Sequence, residues 1–255
     1  MNDGFLAGKV VLVTGGSRGI GRAISLRLAR ENPAHIVIVY CMNAEAARRT
    51  LADVQALGTP ASVVVCDVGN EQLQRQMFAR IAEEFGRLDI FVANAARTAF
   101  RPAATIDLRS WRRTQELNTE AFLLGSQLAA GLMSNNGGGR IVGLSSLGSR
   151  NYTPNYAALG ASKAAIENLA RYLAVELAPS NINVNVVCGG FVDTESMRMI
   201  PDHAMLCRNI VARTPAGRLA QPEDLAGIVA FLCSPESDWI RGQTIVADGG
   251  YSLGL

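Results

Sequence analysis

A net charge of only +2 over 255 residues leaves this chain without the basic field that a nucleic-acid backbone requires, so no DNA or RNA partner is expected. No stretch approaches the roughly 18 apolar residues of a membrane span. The opening residues, MNDGFLAGKV, show no basic segment followed by a long apolar one. A cytoplasmic protein with no membrane partner is therefore expected. Cysteine is sparse and scattered: Cys41, Cys66, Cys188, Cys207 and Cys233 form no CxxC pair. Such a set fits reduced structural thiols and supports neither a metal site nor a thiol nucleophile. What the chain has instead is aliphatic bulk and 25 glycines, with 49% of its residues hydrophobic, the profile of a globular enzyme. Its length suits one α/β domain over residues 1–255.

The apolar residues follow two periods. Short runs rich in valine and isoleucine predict strands at 9–14, 36–40, 62–67, 88–93, 140–145, 183–187 and 244–247. Helical periods lie at 21–30, 44–57, 71–85 and 111–133, and a further helix carries Tyr156 and Lys163 out to Leu177. Strands apolar on both faces that alternate with helices predict an α/β fold: a doubly wound, Rossmann-like parallel sheet. Residues 193–215 mix three methionines with several arginines and read as a mobile flap or short helices beside the site.

The stretch from Thr14 to Gly21, TGGSRGIG, follows the first strand and opens the first helix. Glycine lets backbone N–H groups approach a pyrophosphate there, and the helix N-terminus adds partial positive charge. Alone, G-x-x-x-G-x-G is a weak signal. Its place in a βαβ unit makes it a dinucleotide site built from Gly15, Ser17, Arg18, Gly19, Ile20 and Gly21. The end of the second strand reads Tyr40-Cys-Met-Asn43 and lacks the carboxylate that would accept a ribose 2′-hydroxyl. Nothing there repels a 2′-phosphate, and Arg18, with Arg48 or Arg49, can pair with one. The expected cofactor is NADPH, with Tyr40 and Asn43 near its adenosine end. Asp67 and Val68 are expected to meet the adenine, and Asn94, Ala95 and Ala96 to floor the cofactor channel.

With these motifs, the chain resembles the short-chain dehydrogenase/reductase superfamily over its whole length. The likeness is carried by TGGSRGIG, Asp67-Val68, Asn94-Ala-Ala, Asn118, Ser145-Ser146, the Lys163 helix and Gly189-Gly-Phe-Val-Asp-Thr194. More narrowly it is similar to enoyl-acyl carrier protein reductases of type III, in GRIVGLSSLG from Gly139, RYLAVEL from Arg171, TPAG from Thr214 and IRGQT from Ile240. Where the ordinary reductases carry tyrosine four residues before the lysine, this chain has Leu159, which has no proton to give. Tyr156, seven residues before Lys163, is the nearest phenol, and on a continuous helix a seven-residue step returns to within about 20° of its starting azimuth.

That spacing bears on the chemistry. Reducing a ketone brings hydride and proton to adjacent atoms, whereas reducing a 2-enoyl thioester brings hydride to C3 while charge develops on the oxygen at C1. A tyrosine about 5 Å further along a helix axis suits the second case. The resemblance implies an enoyl thioester reductase in which Tyr156 stabilises the enolate oxygen. Lys163 would hold the cofactor ribose and lower the phenol pKa, Ser146 would order the pocket, and Asn118 would bend its helix and anchor a relay water. Gly189, Val192 and Thr194 would receive the nicotinamide. Tyr152 is either a pocket wall or a surface aromatic, and Leu159 sits on the substrate side. Arg97, Arg101, Arg150 and Arg198 form either a docking rim for an acidic acyl carrier protein or a solvated edge. A homotetramer is implied by the family. The alternatives are a carbonyl or 3-ketoacyl reductase, and a cofactor-binding protein without turnover.

Overall fold

The computed structural model of the chain describes residues 4–198 and 203–254. Its strands are β1 (Val10–Thr14), β2 (His35–Tyr40), β3 (Ala61–Val65), β4 (Ile90–Ala93), β5 (Gly139–Ser146), β6 (Ile182–Gly189) and β7 (Thr244–Ala247). All pair in parallel, in the order β3-β2-β1-β4-β5-β6-β7. The helices are α1 (Gly19–Ala29), α2 (Ala44–Ala56), α3 (Glu71–Phe85), α4 (Leu108–Gln115), α5 (Ala121–Ser134), α6 (Ala157–Glu176), α7 (Glu195–Arg198), α8 (His203–Arg213) and α9 (Pro222–Cys233).

Every residue of β1 and β6 is buried, because helices cover both faces of the sheet. Side chains alternate along a strand, so Val10 and Leu12 enter one core while Val11 and Val13 enter the other. The first core packs Met77, Phe78 and Ile81 of α3, Phe122 and Met133 of α5, and Ile166 and Leu173 of α6. The second takes Ile24 and Leu28 of α1, Val54 of α2, and Leu225 and Val229 of α9. This is the doubly wound α/β fold expected. Among the described residues no helix is long and apolar enough to cross a membrane.

Several elements differ from the sequence-based expectation. The third strand stops at Val65, two residues short of Asp67. The helix expected over 111–133 starts at Leu108, because Asp107 caps it by accepting from the Ser110 amide at 2.8 Å, and a π-helical segment, Glu116–Glu120, divides it into α4 and α5. Asn118 explains the break: its Nδ2 donates to the Thr114 carbonyl (2.7 Å) that a regular helix would give to the Asn118 amide. Tyr156 is not inside its helix. Pro154 and the left-handed Asn155 (φ 60°) stop α6 at Ala157, leaving Tyr156 as its N-cap. Finally, α9 was not expected, although Pro222 at its start and Asp224, which accepts from the Gln221 amide at 2.7 Å, are ordinary helix-start signals. Residues 193–215 hold α7 and α8, the short-helix outcome.

Candidate active site

The strand order turns at β1 and β4, and open α/β sheets leave a crevice at such a point, at the carboxyl ends of the strands. Here the crevice is framed by hydrogen bonds between those two ends. Thr14 Oγ1 accepts from the amides of Asn94 (3.0 Å) and Ala95 (3.2 Å), and Asn94 Nδ2 donates to the carbonyls of Thr14 (2.9 Å) and Gly15 (3.1 Å). The Asn94 amide is thus spent on bracing the glycine turn, with exposed Ala96 just beyond. Gly15 (φ 63°) and Gly19 (φ 51°) are left-handed, and a Cβ on Gly21 would lie 2.1 Å from the Gly15 carbonyl oxygen. No side chain caps α1 and its first turn holds no acid, so its leading N–H groups and the positive end of its dipole are available to an anion. Half-buried Ile20 and buried Ser17 complete the loop, the Ser17 carbonyl accepting from Thr50 Oγ1 at 2.8 Å. These features fit a dinucleotide pyrophosphate.

Near the carboxyl ends of β2 and β3 several polar groups are already engaged. Arg18 Nη1 lies 3.4 Å from Glu195 of α7, and Arg49 pairs with Glu45 at 2.5 Å, while Arg48 is exposed. Asn43 Oδ1 caps α2 through the Ala46 amide (2.9 Å), and the Tyr40 carbonyl accepts from the Cys66 amide (2.8 Å). Asp67 accepts from Arg113 Nη2 (2.5 Å) and from the Gly69 amide (3.1 Å), beside buried Val68. Opposite the glycine loop, buried Val192 bridges to Ala220, and a Cβ on Gly19 would meet the Thr194 methyl at 3.6 Å. Thr194 Oγ1 accepts from the Met197 amide at 3.4 Å, and Gly190 packs on Asp248 where a Cβ would come within 2.8 Å. Gly189 ends β6 against Leu225.

At the other side of the crevice the Tyr156 and Ser146 hydroxyls are hydrogen-bonded at 3.1 Å. The phenol ring rests on bare backbone: a Cβ on Gly148 would lie 2.4 Å from Tyr156 Cδ1, and one on Gly160 would lie 2.4 Å from the Gly148 carbonyl oxygen. Phe100, on the segment after β4, tilts toward it with ring centroids 6.0 Å apart. Burial raises the phenol pKa above its ordinary value, the Ser146 hydrogen bond pulls it partly back, and the Cys188 thiol adds a further push upward. Lys163 is buried with Nζ donating to the Leu144 carbonyl at 2.7 Å, and desolvation pushes its pKa down to about 8. Asn118 Nδ2 also donates to the Arg97 carbonyl (2.8 Å), tying the π segment to the chain after β4.

Three expectations meet a different environment. Tyr152 is 90% exposed, the surface-aromatic outcome, because it stands on the loop ahead of Pro154. Leu159 is buried. The arginines read as a rim are all four exposed, and two of them carry acidic partners, Arg150 with Glu167 and Arg198 with Asp193, both at 2.9 Å. Sequence reasoning assigned no role to Thr14, Gly148, Gly160 or Glu167. The glycines' only signal was their place on either side of Tyr156.

Comparison with known proteins agrees with this geometry. A family model described as "Enoyl-(Acyl carrier protein) reductase" matches residues 15–252. A 1-cyclohexenylcarbonyl-CoA reductase from Streptomyces collinus is 41% identical over 96% of this chain and 87% of its own length. A 7alpha-hydroxysteroid dehydrogenase from Escherichia coli K12 is 34% identical over 96% and 94%. A solved 7 alpha-hydroxysteroid dehydrogenase, complexed with NADH and 7-oxo glycochenodeoxycholic acid, superimposes with a TM-score of 0.90 at 34% identity over 96% of this chain and 94% of that one. With a glycine turn at the sheet's switch point, a Ser146–Tyr156–Lys163 constellation beside it and relatives of this extent, the chain belongs to the short-chain dehydrogenase/reductase family, whose members are oxidoreductases that use a nicotinamide cofactor.

Proposed function

We propose that the chain reduces the C2–C3 double bond of 2-enoyl thioesters with NADPH. The observation that carries this reading is the placement of the phenol: Tyr156 stands seven residues before Lys163, outside α6, while buried Leu159 occupies the position four before it. The displacement is made by the N-cap turn rather than by one turn of helix, and it leaves the phenol ahead of α6 and beside Ser146. NADPH, when bound, would supply hydride to C3. Charge then develops on the thioester oxygen at C1, where the Tyr156 hydroxyl donates a hydrogen bond with Ser146 beside it. Lys163 would turn its ammonium to the cofactor ribose and favour ionisation of the phenol by proximity. The proton at C2 comes from solvent.

The Streptomyces relative, whose name couples a ring alkene to a coenzyme A thioester, supports this class of substrate. The neutral end of β2 and Arg18 support NADPH over NADH. Exposed Arg97 and Arg101 suit an acidic carrier protein, and assembly as a homotetramer is proposed on family resemblance. A second reading, reduction of a ketone, is favoured by one observation. The Ser146 and Tyr156 hydroxyls converge within 3.1 Å, close enough to hold one carbonyl oxygen between them.

Oxidation of NADPH measured in parallel with crotonyl and acetoacetyl thioesters separates the two. Enoyl turnover with acetoacetyl slower by about 10²-fold or more is expected, since errors of positioning near 1 Å already reach that scale. Robust ketone reduction with silent enoyl substrates overturns the assignment.

A further inference from the structure

Glu167 lies four residues beyond Lys163 on α6, so the two share one face of the helix. The Glu167 residue is only 4% exposed, and its carboxylate is fully engaged. Oε1 accepts from Ser145 Oγ (2.7 Å) and Ser149 Oγ (2.6 Å), and Oε2 accepts from Arg150 Nε (3.1 Å) and Nη2 (2.9 Å). All four bonds go to one six-residue stretch, 145–150. Within it, Ser146 meets the phenol through its hydroxyl and Gly148 through the bare backbone under the ring. A buried carboxylate is costly to leave unpaired, so this arrangement is stiff: Glu167 pins the same stretch that Tyr156 packs on.

We propose that Glu167 is a positioning residue that sets the Ser146–Tyr156 hydrogen bond, acting through Ser145, Ser149 and Arg150 without touching substrate or cofactor. The proposal rests on reading Tyr156 as the phenol that hydrogen-bonds the substrate oxygen, but not on which substrate it serves. The charged group that acts on the phenol is Cys188 on β6, which in turn interacts with Lys163 and Glu167 of α6, Arg150 of the clamped stretch and Asp248 after β7. Burial pushes the Cys188 thiol up to about 11, into the range of the raised phenol, and its charge there pushes the phenol further up.

The sign of the effect separates positioning from simple charge. Removing a nearby buried negative charge, as in Glu167→Gln, would by Coulomb interaction alone lower the phenol pKa. Loosening the Ser146 hydrogen bond raises it, because that bond favours the ionised phenol. Ser149→Ala removes one clamp bond with no change of charge and keeps the test open if Glu167→Gln fails to fold. The readout is the titration of Tyr156 in the whole protein, followed by NMR of ring-labelled tyrosine with the signal assigned by its loss in Tyr156→Phe.

Ser149→Ala and Glu167→Gln are expected to raise the midpoint by about half a pH unit, the scale of one weakened hydrogen bond, with no further rise when either is added to Ser146→Ala. An unchanged or lowered midpoint, or the same rise in the Ser146→Ala background, overturns the proposal. No substrate is involved, so failure of the enoyl assay and failure of this test are distinguishable.

Discussion

Lys163 combines a buried amine with a single carbonyl acceptor, Leu144, and its depressed pKa has a consequence for stability. Between about pH 8 and pH 10.5 the unfolded lysine holds a proton that the folded one has released, so folding frees a proton and becomes more favourable as pH rises. Below about pH 8 both forms are charged and the cost of burial is felt in full. Without cofactor, wild type should therefore gain on Lys163→Met by up to about 1.4 kcal/mol per pH unit across that window, read from denaturant midpoints. Cys66 and Cys233, whose thiols are raised by burial, push the other way above pH 9 equally in both proteins, while Cys188, whose charge acts on Lys163, adds a difference of its own there. A gap independent of pH would show that Lys163 is not desolvated. At Tyr156 the expected result is kinetic. Tyr156→Phe should lower turnover by about 10²-fold or more with NADPH affinity kept, whereas Tyr152→Phe, at a surface position, should stay near wild type in kcat.

At the scale of elements, the start of α6 and the end of β5 act as one unit. Gly148 follows β5, Gly160 lies in the first turn of α6, and each lacks the Cβ that would separate them around the phenol. Gly148→Ala should push the ring aside, lowering turnover by about 10²-fold at a stability cost of about 1–3 kcal/mol. Unaltered kinetics in a folded Gly148→Ala protein would mean that the ring is not seated there. The π-helical segment Glu116–Glu120 is a related device: Asn118 takes the Thr114 carbonyl and reaches the Arg97 carbonyl, joining the helix to the segment that carries Phe100. The hydrophobic period runs through such a break without a gap, so 111–133 reads as one helix even though its hydrogen bonds do not.

For the whole molecule, cofactor choice depends on parts distant in sequence. Arg18 of the glycine loop meets Glu195 of α7, an exposed pair worth about 0–1 kcal/mol, small enough for a 2′-phosphate to displace. NADPH should be preferred over NADH by about tenfold or more, a difference of about 1.4 kcal/mol, and Arg18→Ala should remove most of it. Equal kcat/KM for the two cofactors would refute the assignment. Glu195→Gln should leave the preference intact or sharpen it, since it frees the guanidinium.

The chain alone determined the α/β class, the glycine turn and the Tyr156–Lys163 pair, because strand period, helix period and motif spacing are local and survive without knowledge of what packs on them. It also showed the absence of a carboxylate after β2. Strand order, and with it the crevice between β1 and β4, came only from the tertiary structure, since pairing partners are distant in sequence. So did the position of Tyr156 as an N-cap, which depends on the left-handed turn at Asn155, and its contact with Ser146. The engagement of Arg150 and Arg198 by acids, and the clamp at Glu167, were equally invisible. Charges and hydroxyls carry no periodic signature of their partners; which atoms they meet is decided by how the helices settle on the sheet.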